Sequence, residues 1–340
     1  MRAAVLLASG RIAVEERPAP VPGPGELVVA LDACGICGSD LMGWYTARKA
    51  PTVLGHEVVG RITRIGADLG QAPAGWRVGE RVFVHHHVPC GACELCRAGH
   101  ETLCDEFRAS HLEPGGFADE ILVPAAHVRQ DVLRLPDTLP TLAATLLEPL
   151  ACCLRGIARL GLRSGERAAV VGLGQMGQLY GRALAAAGVE VLGLDPLPNR
   201  RALAAAAGLT VATPDSASAR ALVPGRLAAV VLCSGAPAAI ELALELAGSG
   251  TVVQLFAPAA PGAVLTVDVN RLFFNEIQIQ ASYSAGAGDL TAARQLLADG
   301  TLPTAGLITH TFPLDATGEA MRVAKEDPTA VKVVVLGGAG

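Results

Sequence analysis

Four cysteines lie within fifteen residues of this chain: Cys90, Cys93, Cys96 and Cys104. Their spacing, C-x2-C-x2-C-x7-C, brings four thiolates together and suits a closed tetrahedral zinc site with no position left for a substrate. An iron–sulfur cluster is the alternative, because C-x2-C-x2-C also begins the ferredoxin motif. That motif continues with three residues, a cysteine and a proline, whereas here seven residues intervene and Asp105 follows. We therefore predict a structural zinc site in a lobe over residues 86–106.

A second set of metal-ligand types is spread over the first 150 residues. Cys37 begins the run C-G-S-D, His56 is the centre of G-H-E, and Glu148 lies within L-E-P. One thiolate, one imidazole and one carboxylate make a three-ligand zinc set that leaves a fourth position open, as in catalytic sites. Taken singly, His56 also fits a buried or loop histidine and Glu148 a carboxylate at a helix start. The prediction of a catalytic metal therefore depends on all three.

A glycine-rich loop in the second half of the chain has the pattern of a dinucleotide-binding turn. Gly172, Gly174 and Gly177 match G-x-G-x-x-G, with an apolar run before them and an amphipathic segment after them. The first glycine permits a tight turn, the second lets the backbone approach a pyrophosphate, and the third lets helix and strand pack closely. Gln175 and Met176 complete the loop at a predicted helix N-terminus, whose N–H groups favour phosphate. The alternative is a glycine-rich turn without a ligand.

The residue after the next apolar run bears on which dinucleotide binds. Asp195 stands about where such folds place the acidic residue that binds the adenosine ribose. Its charge would repel the 2′-phosphate of NADP, so we predict NAD in preference to NADP. Arg200 and Arg201 follow closely and could tolerate that phosphate, which leaves NADP as the alternative. Ser234, just past a later apolar run, is a further expected cofactor contact. Without a ligand, Asp195 would be a turn or cap residue.

Two patterns of predicted elements position these residues. Up to about residue 150, short β-like runs broken by glycine and proline indicate an irregular, mainly antiparallel β domain. From about 155 to 287, apolar strands alternate with alanine-rich helices, which predicts the α/β class with a doubly wound parallel sheet. The final predicted strand, over 331–336, is rich in β-branched residues, and we expect it to return to the first domain. The other predicted strands cover 26–30, 58–65, 81–85, 121–123, 167–172, 190–195, 228–233 and 251–256, and the predicted helices 176–187, 200–207, 238–246, 290–299 and 316–326.

Length and composition narrow the class of protein. A chain of 340 residues exceeds one ordinary core, so two domains are expected. The net charge of -5, with scattered Lys and Arg, gives no basic surface for a phosphate backbone, so nucleic acid is not an expected partner. We expect neither a membrane span nor a signal peptide, and hence a cytoplasmic protein without a membrane partner. Clustered cysteines in such a chain favour metal ligands over disulfides, and Cys34, Cys153 and Cys233 are expected to be small buried apolar residues.

Together these motifs resemble the zinc-dependent medium-chain alcohol dehydrogenases. The glutamate ligand makes the chain similar to the polyol (sorbitol) and threonine dehydrogenase branch more than to the ethanol dehydrogenases, whose third ligand is cysteine. The resemblance implies a GroES-like catalytic domain with a zinc lobe over 1–153 and 288–340, and a Rossmann NAD-binding domain over 154–287. It rests on stretches in family order over nearly the whole length, namely 37–40, 55–57, 90–104, 114–117, 147–149, 172–177 and 331–335.

The resemblance also implies roles around the metal. Cys37, His56 and Glu148 would hold the catalytic zinc, with Glu57 as a transient exchange ligand and Cys152 as an alternative third ligand. Asp40 would accept a hydrogen bond from the far nitrogen of His56 and fix its tautomer.

The resemblance further implies a path for the proton. Ser39 would take the proton of an alcohol whose hydride passes to the nicotinamide. In the family the relay often ends at a histidine three residues later. Here that position is Met42, so we expect a different end, such as direct release to solvent.

The expected function is that of a zinc-dependent oxidoreductase that transfers a hydride between a secondary alcohol and NAD, with two zinc ions per chain. The substrate would be a polyol, a sugar-like alcohol or an amino alcohol. The family implies a homodimer or homotetramer, and the apolar run over 251–256 with its following loop is a candidate subunit edge. The alternatives are a non-enzymatic zinc–thiolate sensor and a zinc-free reductase on the same fold, whose members lack the metal motifs.

Three further segments are ambiguous. Trp44 and Tyr45 would line the substrate cleft or simply pack, and Tyr283 with the two residues after it would lie near the nicotinamide. For His85, His86 and His87 we expect a solvated role, or one in orienting metal ligands, in preference to a further metal site.

Overall fold

The computed structural model describes residues 1–69, 75–223 and 225–338, which form two compact units. The first unit contains residues 1–148, 285–299 and the chain from Ile308 onward, and the second contains residues 149–284 and 300–307. The domain boundaries expected from the sequence follow residues 153 and 287, whereas these units divide after 148 and 284. Residues 300–307 join the second unit.

The strands of the described residues lie close to the predicted apolar runs. Strands β3, β5, β6, β7, β9, β10, β12, β13 and β16 each overlap a predicted strand. They are β1 (Arg2–Leu6), β2 (Ile12–Glu16), β3 (Leu27–Gly35), β4 (Thr52–Val53), β5 (Glu57–Ile65), β6 (Arg81–Val84), β7 (Glu120–Val123), β8 (Val132–Arg134), β9 (Arg167–Val171), β10 (Glu190–Leu194), β11 (Thr210–Ala212), β12 (Ala229–Leu232), β13 (Val252–Leu255), β14 (Gln278–Ala281), β15 (Ile308–Pro313) and β16 (Lys332–Leu336).

Most of the longer helices belong to the second unit, while those of the first unit are mainly single turns. Helices α7, α8, α10, α12 and α13 each overlap a predicted helix. The helices are α1 (Gly43–Thr46), α2 (Glu94–Arg97), α3 (Asp105–Ala109), α4 (Ala125–Gln130), α5 (Thr141–Ala144), α6 (Leu147–Leu160), α7 (Gln175–Ala186), α8 (Pro198–Ala206), α9 (Ser216–Leu222), α10 (Pro237–Leu246), α11 (Val269–Phe274), α12 (Ala287–Ala298) and α13 (Thr317–Glu326). Within the described ranges, no helix combines the length and apolar character of a membrane span.

The first unit is built around β3, which pairs with β5, β7 and β16. Its larger sheet has the order β15-β16-β3-β5-β6-β8, with β7 also paired to β3, and a smaller sheet has the order β2-β1-β4. All pairs are antiparallel except β15 with β16. The predicted return of the last strand is confirmed, because Val334 of β16 lies opposite Gly35 of β3.

The second unit is a parallel six-stranded sheet with the order β11-β10-β9-β12-β13-β14. The predicted α/β class is confirmed. Strand order reverses at β9, which lies between β10 and β12, and ligands of such sheets bind outside the carboxyl ends of the strands at this point. Residues 252–255 form β13, which lies between β12 and β14 inside the sheet.

Each unit has a core of its own, built from apolar strand residues. In the first unit Val29, Val58 and Val335 are buried, and in the second Val171 and Val230 are buried. A parallel sheet covered on both faces needs near-continuous apolar strands, which is why the runs of the second unit are easy to find in the sequence.

Candidate active site

The four clustered cysteines converge on one point of the first unit. Their sulfur atoms all lie within 4.8 Å of one another, and the Cys96 sulfur is 3.5 Å from that of Cys93 and 3.9 Å from that of Cys90. A tetrahedral zinc ion with Zn–S bonds of about 2.3 Å requires sulfur separations of about 3.8 Å. All four cysteines are free of disulfides. The residues present therefore fit a structural zinc ion, as the spacing predicts.

Backbone N–H groups donate hydrogen bonds to two of these sulfur atoms. The N–H of Cys93 donates to the Cys90 sulfur at 3.3 Å, and the N–H of Cys90 donates to the Cys104 sulfur at 3.4 Å. The bond from Cys90 is the main reason why the pKa of Cys104 falls to about 6. The thiolate is the form that binds metal, so the fold itself favours the ligating state at Cys104.

A second group of potential metal ligands lies where β3 ends and β5 begins. Gly35, the last residue of β3, pairs with Glu57, the first residue of β5, so the segments containing Cys37 and His56 are neighbours. One ligand atom from each of Cys37, His56 and Glu57 lies within 4.8 Å of the other two. A thiolate, an imidazole and a carboxylate suit zinc with a fourth position open, so this donor set fits a catalytic ion.

Asp40 orients two members of this group. One of its carboxylate oxygens is 3.5 Å from Nδ1 of His56, and the other accepts the backbone N–H of Cys37 at 3.1 Å. Burial opposes a charged imidazole, but the charges of Asp40 and Cys37 outweigh it and hold the pKa of His56 well above its ordinary value. The site thus favours positive charge at His56, which a metal ion at the opposite ring nitrogen would supply.

Glu148 does not belong to the group of Cys37 and His56 in the structure. It is the second residue of α6, and its carboxylate lies within 4.8 Å of ligand atoms of His85 and His86. Glu57, expected as the exchange ligand, is the carboxylate grouped with Cys37 and His56, because it directly follows His56. Cys152 is buried and belongs to no group of potential metal ligands among the described residues.

Lys332 is a site residue that the sequence analysis missed. Its ammonium group forms an ion pair with Glu57 in which neither side chain is exposed. Burial raises the pKa of Glu57, and the Lys332 charge opposes that rise. The two side chains meet across Gly35, since an added Cβ there would fall on the Lys332 ammonium and the Glu57 carboxylate. The available signal is a single lysine in an otherwise apolar final strand.

The turn that follows Cys37 is partly accessible, although Asp40 within it is buried. Ser39 is half-buried, and its carbonyl accepts the backbone N–H of Met42 at 3.3 Å within a short helical turn. Trp44 and Tyr45 pack edge to face with ring centroids 6.0 Å apart, and Trp44 is exposed. Ser39 thus lies two residues from a proposed ligand, while the two aromatic rings also pack on each other.

In the second unit, the glycine loop has the expected geometry. Gly172 has a φ of 93° and follows β9, which explains the first glycine. A Cβ on Gly177 would fall on the Gly172 carbonyl oxygen, which explains the third. A Cβ on Gly174 would meet a single atom within 4 Å, Nη1 of Arg200 at 3.8 Å, so space remains beside the second glycine. Gly174 is the N-cap of α7 and has no side chain to cap the helix, so the turn at Gln175 and Met176 fits a phosphate.

Asp195 lies at the same sheet edge, directly after β10. Its carboxylate accepts the backbone N–H of Leu173 at 2.7 Å and that of Leu197 at 2.8 Å, and it is 3.8 Å from Nη1 of Arg200. Asp195 therefore holds the glycine loop in place, and Arg200 lies between the two. Ser234 follows β12, and its Cβ is 3.2 Å from the position of a Cβ on Gly172.

Comparison with known proteins adds independent findings. The alcohol dehydrogenase GroES-like domain model matches residues 23–137, and the zinc-binding dehydrogenase model matches residues 164–299. Sorbitol dehydrogenase of Bacillus subtilis is 29% identical, over 94% of this chain and 92% of its own length. D-altritol 5-dehydrogenase of Agrobacterium fabrum is also 29% identical, over 98% of each chain. A zinc-binding dehydrogenase of Sinorhizobium meliloti, solved with NADP bound, is 27% identical with a TM-score of 0.88 over 98% of each chain.

Proposed function

Because the chain belongs to the zinc-dependent medium-chain alcohol dehydrogenase family, we propose that it transfers a hydride between a secondary alcohol and NAD at a zinc ion held by Cys37 and His56. The chain is an oxidoreductase of alcohol-type substrates, and this prediction from sequence is confirmed by relatives that carry such names. Those relatives do not support a non-enzymatic thiolate sensor. The observation that carries the proposal is the convergence of Cys37, His56 and Glu57 on one point.

The metal ligands are the first part of the proposal. Cys37 and His56 would bind the ion together with a carboxylate. The resemblance makes Glu148 this third ligand and Glu57 the exchange ligand, and Glu57 is the carboxylate grouped with Cys37 and His56. When bound, zinc supplies a Lewis acid that makes the substrate hydroxyl more acidic. Asp40 would keep His56 in the orientation that directs its second ring nitrogen to the ion. With the four-cysteine site, this makes two zinc ions per chain.

Proton movement is assigned to Ser39. Its hydroxyl lies two residues from Cys37 on a half-exposed turn, so it can accept the substrate proton and pass it outward. Met42 has no titratable group, and the proton would therefore leave through solvent without a terminal histidine.

The cofactor proposal rests on the edge of the parallel sheet. Gly172, Gly174 and the N-terminus of α7 would hold the pyrophosphate, and Asp195 would bind the adenosine ribose. We favour NAD over NADP because the Asp195 carboxylate would face a 2′-phosphate. Arg200, 3.8 Å from that carboxylate, weakens the repulsion and keeps NADP as the competing cofactor.

Substrate and assembly follow from the relatives and from exposed surface. Since those relatives are named for sorbitol and D-altritol, we propose a polyol or sugar-like secondary alcohol. Phe273 and Phe274 of α11 are 74% and 78% exposed, and β14 next to them is an edge strand. Such a surface fits a subunit contact, so we propose a homodimer or homotetramer in the cytoplasm.

The direct test is a panel of polyols, sugars and simple secondary alcohols, each mixed with NAD or NADP. We expect reduced cofactor to appear, by its absorbance, with NAD and at least one polyol, and to disappear after zinc is removed by a chelator. No reduction of either cofactor by any alcohol in the zinc-loaded protein would refute the proposed activity.

A further inference from the structure

The helical turn over residues 43–50, which begins with α1, has two unlike faces. The inner face lines a cavity beside α13, and its residues are Gly43, Thr46, Ala47 and Ala50. The outer face carries two aromatic rings and two cations, and its residues are Trp44, Tyr45, Arg48 and Lys49. Residues three or four positions apart lie on the same side of a helical turn, which explains both sets. The outer face thus combines rings with positive charge and contains no acidic residue.

Tyr45 and Lys49 form a pair of hydrogen-bond donors on this outer face. The Lys49 ammonium donates to the Tyr45 hydroxyl oxygen at 2.9 Å and lies 4.1 Å from the centroid of the Tyr45 ring. An ammonium group has three N–H donors, and a phenol can donate its own O–H while it accepts. Two donors at this separation can both reach one carboxylate, which accepts through either of its oxygens.

No carboxylate of the described residues occupies this donor pair. Lys49 is exposed and forms no ion pair with an Asp or Glu side chain in the part of the chain that the structure describes. Lys332 differs in this respect, because its ammonium is buried against Glu57. The donor pair of Tyr45 and Lys49 is therefore available to an anion that comes from outside the protein.

The donor pair belongs to the same run of turns as the proposed proton acceptor. The backbone N–H of Tyr45 donates to the Met42 carbonyl at 2.8 Å, and the N–H of Met42 donates to the Ser39 carbonyl at 3.3 Å. These hydrogen bonds join Ser39 and Tyr45 through one continuous stretch of backbone. The position of the donor pair is thereby fixed relative to Ser39.

The charge of Lys49 also acts on the histidines beside the proposed metal site. Burial is the main reason why the pKa values of His86 and His87 lie below their ordinary range, and the Lys49 charge lowers both further. Coulomb interactions weaken with distance, so the ammonium lies on the side of the molecule that carries these rings. The centroid of the His86 ring is 4.5 Å from that of His56. The rings of His56 and His86 therefore lie between the metal site and Lys49.

We propose that Tyr45 and Lys49 bind a carboxylate of the substrate, which makes the preferred substrate a sugar acid of the aldonate class and not a neutral polyol. The secondary hydroxyl of such an acid would lie at the metal held by Cys37 and His56, with the carboxylate further along its carbon chain. The proposal rests on the proposed function, because it names the substrate class of the same site. It gives Tyr45 the substrate contact that the sequence leaves open.

The reaction is the proposed hydride transfer and needs no further reactant. The alcohol carbon loses a hydride to NAD, and the hydroxyl loses its proton by way of Ser39. The alcohol becomes a ketone, so the product is a keto acid. The carboxylate itself does not react, and its role is to hold one end of the substrate in place.

The test compares substrates that differ in the carboxylate. Gluconate and sorbitol have the same configuration at their secondary alcohol carbons, and so do galactonate and galactitol. Each is mixed with NAD and the zinc-loaded full chain. We expect kcat/KM to be about 10-fold higher for at least one of these hexonates than for its matching hexitol, because a charge-assisted hydrogen bond at an exposed site is worth about that factor. A kcat/KM for both hexitols that equals or exceeds that for the hexonates would overturn the proposal.

Three variants test whether the donor pair causes this preference. Lys49→Met should lower the ratio of kcat/KM for the hexonate to that for the hexitol by about 10-fold, mainly through the KM of the hexonate. Lys49→Arg keeps the cation and should retain most of the ratio. Tyr45→Phe keeps the ring but loses one donor, and it should lower the ratio by about 3-fold. The matched control is Lys325→Met, which changes an exposed lysine of α13 and should keep the wild-type ratio.

Direct binding separates this proposal from the proposed function. Isothermal titration of gluconate and galactonate into the zinc-loaded protein should show about 10-fold weaker binding in Lys49→Met than in wild type. If no alcohol is oxidised but this loss of binding is seen, the proposed activity fails and the carboxylate site stands. If hexitols are oxidised but Lys49→Met binds hexonates as tightly as wild type, the carboxylate site fails and the activity stands.

One further outcome would also overturn the carboxylate site. An equal rise in the KM for NAD with every alcohol in Lys49→Met would assign Lys49 to the cofactor. Circular dichroism verifies that the variants are folded. Lys49→Glu gives a second measurement of the same charge, since it should reduce binding of hexonates more than Lys49→Met does.

Discussion

Lys332 and Glu57 form an ion pair with no solvent exposure at either side chain, although 275 residues separate them in the chain. The Lys332 ammonium also donates to the Ile36 carbonyl at 3.1 Å. Gly35 makes the contact possible, because any side chain there would occupy the space in which the two charged groups meet. The charge of Glu57, next to the proposed ligand His56, therefore depends on a residue of the last strand.

Replacing Lys332 by methionine tests this dependence. Lys332→Met leaves the Glu57 carboxylate buried without its partner, and we expect the free energy of unfolding to fall by about 3–5 kcal/mol. The double variant Glu57→Gln with Lys332→Met should recover most of the loss, because no unpaired charge remains. Urea unfolding of the metal-free proteins measures both. Equal stability of Lys332→Met and wild type would show that the ion pair contributes nothing.

Two cysteine variants separate the two proposed zinc roles. Cys37→Ser should abolish turnover and lose the catalytic ion, while the melting temperature changes little. Cys96→Ser should lower the melting temperature, because a structural zinc ion contributes directly to folding. Zinc analysis and a thermal melt of both variants provide the comparison. Identical behaviour in the melt would contradict the division of roles.

The cofactor preference is tested at Asp195. Asp195→Asn removes the negative charge but keeps an oxygen that can accept the N–H of Leu173. We expect the ratio of kcat/KM for NAD to that for NADP to fall by about 10-fold, since like-charge repulsion of a phosphate is worth roughly 1–2 kcal/mol at such sites. Arg200→Ala is the companion variant and should shift the ratio toward NAD. An unchanged ratio in both would remove these residues from cofactor selection.

Two glycines of the loop should respond differently to alanine. In Gly177→Ala the new methyl group collides with the Gly172 carbonyl, so the second unit should be destabilised, by about 2 kcal/mol or more. In Gly174→Ala the methyl group meets only Arg200 at 3.8 Å, so the protein should fold but bind the dinucleotide weakly. Thermal melts and cofactor titration distinguish the two effects. If Gly177→Ala and Gly174→Ala had the same melting temperature, the close contact between helix and strand would not require glycine at position 177.

The exposed phenylalanines of α11 predict a subunit contact. Phe273→Ser combined with Phe274→Ser should lower the molar mass measured by light scattering toward that of a monomer. Val21→Ser, which changes an equally exposed apolar residue of the first unit, should not. A wild-type protein that is monomeric at all concentrations would exclude this contact.

Features of the fold and the site could be predicted where the residues that form them are neighbours in the sequence. The glycine loop, the four cysteines and the apolar strands of the parallel sheet each depend on neighbouring residues, and the structure places them as expected. The pairing of Lys332 with Glu57 was missed, because it depends on strand register and on Gly35. The contact between His85 and Asp131 could not be predicted, because nothing in the sequence reveals that the two side chains meet.

Strand β16 lies between β15 and β3 in the larger sheet. A ribosome therefore completes the entire parallel-sheet unit before it releases β16, which fills the position between β15 and β3. Until then, residues 33–35 of β3 lack the partner that β16 provides, and Glu57 lacks its counter-charge. The first unit can be completed only after the second unit has been translated, so a nascent chain stalled before Lys332 should carry no functional metal centre at Cys37 and His56.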